Sequence, residues 1–343
     1  MHRNIRAMEI VRARHRVWMI GLAGAVAILL TGALYQFLSV RHESSRFPPP
    51  GRLIDVRVPG EPAARRLHLV CVGNGQPTVI FEHSGLGGAL SSRAAREEVS
   101  AYTRTCSYDR VGMGWSDPGP EIITAGLLAD DLERLTQQAG LPPPFILVPA
   151  SLGGVVAELF ARRHREQVAG LVFVDAGNSA IWEAAAAQLN WMEVESACLL
   201  RTAARFGVLR LADPLGLRKE NAGSAAQTMA RLYREEPAAT VCGIARGVRM
   251  SQREFDAAPP LAPDIPLTVL VHQRPDGLFP AVLAGYGKRV ERQWLKMQQD
   301  FALRSRHGTW RRVPGSDHLI GNSQPHAVAA AVLEMVSDVR RTH

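Results

Sequence analysis

The sequence predicts an α/β protein built on a mostly parallel sheet with helices on both faces. Three observations carry this. Short apolar runs, Val79–Phe81, Phe145–Val148, Leu171–Val174 and Thr268–Val271, have the length and β-branched content of buried strands. Between them apolar residues recur at helical spacing, as at Val155, Val156, Leu159 and Phe160. Each run then opens into a loop carrying Gly, Ser, Asp or His. Strands alternating with helices give a parallel sheet covered on both sides, and ligands of such sheets bind beyond the carboxyl ends of the strands.

The chain begins with a basic tail at 1–16, where Arg3, Arg6, Arg12, Arg14 and Arg16 outnumber the single acid Glu9. Val17 to Val40 then contains no charged residue and is long enough to cross a bilayer. The arginines precede the span, so the positive-inside rule puts the N-terminus in the cytoplasm and the remainder outside it, in the periplasm if the source is bacterial. A cleaved signal peptide is the competing reading; the apolar stretch is long for one, and only Thr31-x-Ala33 offers a cleavage site. An uncleaved anchor is preferred. Residues 41–51 form a linker that ends in the Pro-rich ESSRFPPPG.

The core is taken from residue 52, and its first quoted stretch, LHLVCVGNGQPTVIFEHSGLGG at 67–88, holds an apolar strand opening into a glycine-rich loop. YDRVGMGWSDPGP follows, a short strand and a turn in which Asp109 and Arg110 read as structural. Next comes FILVPASLGGVVAELFARRH, where Ser151 falls at a strand-to-helix junction followed by Gly153 and Gly154. The plain reading of Ser151 is a helix N-cap. The functional one is a nucleophile lifted from the sheet edge by a sharp turn. GLVFVDA ends a strand at Asp175, PLTVLVHQRPDG carries Asp276 a few residues beyond another, and GSDHLI holds His318 in a loop before a helix.

Together these ordered stretches resemble the α/β-hydrolase family over roughly 52–178 and 262–340. The resemblance implies an α/β-hydrolase fold: a core in two parts, 52–178 and 262–343, interrupted by a helical cap at 179–261. It implies a Ser…Asp…His order, met by Ser151, Asp276 and His318. Asp276 is the preferred acid, since it sits where the family's Gly-x-x-Asp acid sits, although Gln273 replaces the glycine. Asp175 is its rival, because some members draw the acid from the preceding strand. The backbone N–H groups of Leu86 and Leu152 are assigned to the oxyanion hole. Two departures stand out in the elbow: Pro149 replaces the first glycine of Gly-x-Ser-x-Gly, and Ala150 precedes the serine. Trp182, Trp191 and Phe206 in the cap line either a pocket or an ordinary interior.

Composition agrees with one large core and an insertion: 343 residues, 46% hydrophobic and 21% charged. The net charge of +8 owes much to the N-terminal arginines, and no nucleic-acid motif or aromatic platform accompanies it. No spacing resembles a zinc site or a P-loop, so neither metal nor cofactor is expected. The four cysteines, in an exported domain, suit the pairing Cys71–Cys106 and Cys198–Cys242, with four free thiols as the alternative. The expected function is a membrane-anchored serine hydrolase acting on a small ester or lipid-like substrate through an acyl-enzyme. Amide, peptide or carbon–carbon cleavage by the same residues, or a non-catalytic binding protein on this fold, are the alternatives.

Overall fold

A computed structural model of the chain describes residues 2–58, 60, 64–214, 216, 223–274 and 284–342. Among them, eight strands form one sheet: β1 (Arg52–Val56), β2 (Arg65–Val72), β3 (Thr78–Glu82), β4 (Thr105–Tyr108), β5 (Phe145–Pro149), β6 (Val168–Val174), β7 (Leu267–His272) and β8 (Gly308–Val313). Their spatial order is β1-β2-β4-β3-β5-β6-β7-β8. β1 and β2 run antiparallel to their neighbours, and every pair from β4 to β8 is parallel. The helices are α1 (His2–Arg46), α2 (Arg93–Ser100), α3 (Ala125–Gln138), α4 (Gly153–Arg163), α5 (Ser179–Gln188), α6 (Trp191–Arg205), α7 (Val208–Ala212), α8 (Gly223–Leu232), α9 (Glu235–Ala257), α10 (Ala284–Ala302), α11 (Ile320–Ser323) and α12 (Pro325–Thr342). This is the α/β-hydrolase fold.

Both faces of the sheet are covered, which is why its strands read as unbroken apolar runs. Ile80, Leu147, Phe173 and Val269 pack with Leu128 and Leu132 of α3, Val155 and Leu159 of α4, and Phe301 of α10. Their strand neighbours Val79, Phe81, Ile146, Val148, Val172 and Val174 face Val99 of α2 and Val328, Val332 and Val336 of α12. Each such side chain contributes at most about 1.5–3 kcal/mol through burial. The chain winds from β3 to β4 on one side and returns to β5 on the other. That reversal leaves a crevice over the carboxyl ends of β3 and β5.

Two compact units divide the chain: residues 1–48 with 199–238, and residues 49–198 with 239–343. In the first, α1 continues through 41–46, so the linker expected from residue 41 is helical as far as Arg46. Its apolar stretch is exposed, with Val17, Trp18, Ile20, Leu30 and Phe37 all open. One stripe of the same helix meets the 199–238 segment. Gln36 donates to the Tyr233 carbonyl (2.8 Å) and accepts from Arg210 Nε (3.0 Å). Arg210, itself buried, also forms a forked ion pair with Glu43.

In the second unit, Cys71 and Cys106 face each other across β2 and β4 and are bonded, as are Cys198 and Cys242. Helix α9 is fastened to the start of α3. Glu254 accepts from Thr124 Oγ1 (2.7 Å) and the Gly126 amide (2.6 Å), and Ser251 Oγ accepts from the Ala125 amide (2.9 Å). These groups answer amides that a helix start leaves without intrahelical partners.

Candidate active site

Ser151 sits where β5 gives way to α4, with φ at +48°. A non-glycine residue in the left-handed region is uncommon and is held there only by its surroundings. Several contacts hold this one. The Ala150 amide donates to the Glu82 carbonyl of β3 (2.8 Å), and the Ser151 carbonyl accepts from the amides of Gly154 (3.0 Å) and Gly177 (2.7 Å). The two glycines after Leu152 are required by close approach. A Cβ on Gly153 would lie 2.6 Å from the Glu82 carbonyl oxygen, and one on Gly154 would collide with the Gly177 carbonyl. Pro149 closes β5, at the last register position opposite Glu82.

The turn aims the hydroxyl at a histidine. His318 Nε2 lies 3.0 Å from Ser151 Oγ, and His318 Nδ1 lies 2.6 Å from Asp175 Oδ2. Asp175 follows β6, is fully buried, and also has a positive φ, +46°. It gathers two further donors: His272 Nδ1 at 2.6 Å on Oδ2, and Trp294 Nε1 at 2.9 Å on Oδ1. Burial pushes the Asp175 carboxyl up. The hydrogen bonds and charges of His272 and His318 outweigh burial and hold it below the usual carboxylate range. His272 in turn reaches Glu291 through Nε2 (2.9 Å). Burial presses the His272 pKa down, but the carboxylates of Asp175 and Glu291 leave it raised. Asp276 lies outside the described residues; the carboxylate at His318 Nδ1 is that of Asp175.

The expected oxyanion segments are neighbours. A Cβ on Gly85 would lie 3.6 Å from Leu152 Cδ2, so the 84–88 loop runs beside the residue after the serine. Buried Arg110 fixes that loop, pairing with Glu82 Oε1 at 2.5 Å and donating to the His83 carbonyl (2.8 Å) and to the Ser84 carbonyl. Asp109 accepts from the amides of Ala89 (2.7 Å) and Trp115 (3.0 Å) and from His68 (2.7 Å). Both residues therefore serve the scaffold. A narrow apolar cavity adjoins the elbow, lined by Ile123, Leu128, Leu152, Val155, Trp182 and Ile244.

His272, Glu291 and Trp294 went unassigned in the sequence. One signal was present: LVFVD and TVLVH both end an apolar strand in an ionisable residue, and parallel pairing of β6 with β7 sets those ends side by side. Glu291 and Trp294 come from α10, and no local pattern marks them. Asp175, His272 and His318 also offer three ligand atoms within 4.8 Å of one another. Their separations of 2.6 Å are those of hydrogen bonds to a shared carboxylate oxygen, too short to leave a cation between them.

Comparison with known proteins agrees with this architecture. Residues 77–239 match the alpha/beta hydrolase fold family. An uncharacterized protein of Schizosaccharomyces pombe is 32% identical over 173 residues, covering 41% of this chain and 31% of that protein. An uncharacterized vacuolar membrane protein of Saccharomyces cerevisiae is 29% identical over 128 residues, 32% of this chain and 20% of its own length. The matched stretch thus spans a third or less of these relatives. Among solved structures, a thermophilic esterase from Thermogutta terrifontis superposes with a TM-score of 0.63 at 23% identity, covering 84% of this chain and 99% of that one. With this sheet order, this elbow and this match over 77–239, the chain has the α/β-hydrolase fold.

Proposed function

We propose that the chain is a membrane-anchored serine hydrolase that cleaves carboxylic esters through an acyl-enzyme. The observation that carries this reading is the 3.0 Å contact between Ser151 Oγ, on a left-handed turn, and His318 Nε2. A serine hydroxyl is a weak nucleophile until a neighbouring base takes its proton. His318 takes that proton at Nε2 as Oγ attacks the ester carbonyl. Asp175, at Nδ1, fixes the tautomer and stabilises the imidazolium that forms. The negative charge gathering on the carbonyl oxygen is met by the backbone N–H groups of Leu152 and Leu86. When the tetrahedral intermediate collapses, the C–O bond to the alcohol breaks and His318 returns its proton to the departing oxygen. Water then repeats the sequence on the acyl-serine, His318 again serving as base and acid, and the carboxylic acid leaves.

The hydrolase unit stands outside the cytoplasm, tied to the bilayer by Val17–Val40. The uncharged, exposed span and the arginines before it support this topology. The vacuolar membrane description of the yeast relative is in keeping with a membrane location.

A fluorophosphonate, which phosphylates activated serines, tests the reaction. The purified full chain should be labelled and Ser151→Ala should not. A folded wild type that resists the probe would instead mark a binding protein on a hydrolase fold. Protease added outside sealed membranes should remove the hydrolase unit and spare the N-terminal tail; protection of that unit would reverse the orientation.

A further inference from the structure

The unit formed by residues 1–48 and 199–238 carries a second surface in addition to its apolar helix. The turn between α6 and α7 approaches α1 backbone to backbone. A Cβ on Gly32 would lie 2.5 Å from the Phe206 carbonyl oxygen, and one on Gly207 would lie 3.0 Å from the Tyr35 ring. Small residues permit such approach between helices packed in an apolar medium. Gly32 belongs to the uncharged span, and at about 1.5 Å rise per residue it lies about 12 Å along the helix from Val40, where that span ends. The α6–α7 turn is therefore fixed beside the apolar part of α1, not beside its charged end at Arg41, Glu43 and Arg46.

The side chains around the turn fit that depth. Val208 and Leu211 are 50% and 59% exposed, with Leu34 and Phe37 of α1 open nearby in sequence to Gly32. Polar groups near the turn are paired within the same unit. Gln36, the amide inside the span, is buried against Tyr233 and Arg210. Arg210 reaches along the helix to Glu43, and Arg205 reaches Glu235. Long basic side chains whose stems lie against apolar surface while their charges reach a polar boundary are a known arrangement at bilayer interfaces.

We infer that the α6–α7 turn is inserted in the bilayer leaflet on the hydrolase side, with Val208 and Leu211 in contact with lipid acyl chains. The inference rests on the anchor reading of Val17–Val40, and its partner is lipid hydrocarbon. The segment then binds the bilayer as a second element beside the helix, held at depth by the Gly32–Phe206 approach and the Gln36–Arg210–Glu43 network.

Single cysteines test this in the full chain, since all four native cysteines are bonded. Leu211→Cys, Val208→Cys, Leu30→Cys and, on the other unit, Leu303→Cys are labelled with an environment-sensitive fluorophore. Each is reconstituted in phosphatidylcholine vesicles with or without lipids bearing an acyl-chain nitroxide. The proposal expects the labels at 208, 211 and 30 to lose most of their emission to nitroxide lipid, with the label at 303 on the other unit as the reference. Quenching at 30 alone would keep the anchor and overturn the insertion. No quenching at 30 would overturn the anchor, and the insertion with it. Labels at 208 and 211 shielded from aqueous iodide yet indifferent to nitroxide lipid would mark a second copy of the chain on this face and equally overturn lipid contact.

Discussion

Asp175 presents the same oxygen, Oδ2, to His272 and to His318, each at 2.6 Å. The carboxylate beside the proposed base is thus shared between two imidazoles, one leading to Ser151 and the other to Glu291. Replacing Asp175 tests it as the triad acid against Asp276. Asp175→Asn is expected to lower kcat on a chromogenic ester by about 10³–10⁴-fold, the scale on which a triad acid acts through tautomer and charge. Asp276→Asn should stay within about threefold of wild type. Melting curves taken alongside separate lost chemistry from lost folding, and the reverse ranking would move the role to Asp276.

His272 gives the protein a pH signature. Its pKa is raised in the folded state by Asp175 and Glu291 against the downward push of burial. The stability it contributes is fully present below its unfolded value, near 6.5, and is lost as pH rises through the higher folded value. For Asp175, depressed in the fold, the sign is opposite: its contribution holds above about 3.9 and fades as pH falls through the folded value. The stability gap between wild type and His272→Gln should therefore be wider at pH 6 than at pH 9. Urea denaturation at both values measures it, and a gap that widens with pH contradicts the assignment.

The disulfides close loops of 35 and 44 residues. Chain entropy alone gives each about 4 kcal/mol, with measured cases commonly at about 2–4. Cys71→Ala/Cys106→Ala and Cys198→Ala/Cys242→Ala should each lower the unfolding free energy by about that amount. Thiol titration of unfolded wild type should find free thiols only after reduction.

Trp182 and Ile244 contribute to the cavity beside Leu152 and come from the insertion between β6 and β7. If that cavity receives the acyl chain, Trp182→Ala should shift the preferred chain toward longer esters by two or more carbons, roughly tenfold in relative kcat/KM at about 0.8 kcal/mol per buried CH₂. Fluorophosphonate labelling of Ser151 should persist. An unchanged chain-length profile would place acyl recognition elsewhere.

Much of this site is legible in the chain because its parts are local. The elbow announces itself through an apolar run, a serine and two glycines, and Gly153 and Gly154 are there because neighbouring carbonyls leave no room for a Cβ. His318 follows from chain order. The choice between Asp175 and Asp276 was not local, since it depends on where the His318 loop folds back across the sheet. Asp175 itself reads as an ordinary strand-end residue until His272 and Trp294 are seen around it. Strand β1 was also hidden: RLIDV alternates without an apolar run, because β1 lies at the sheet's edge and most of it is not deeply buried. Likewise, nothing in the cap sequence announces that 199–238 belongs with α1, for Arg210 finds Gln36 and Glu43 across more than 150 positions.

Arg110 has a thermodynamic consequence for any ligand of this crevice. Its guanidinium ties Glu82, His83 and Ser84 into one piece, so the strand end and the loop that follows share a single buried cross-link. A loop secured in that way surrenders its freedom once, when the polypeptide folds. A molecule bound there would meet a loop already ordered, without the entropic toll that a loose loop would levy on each encounter.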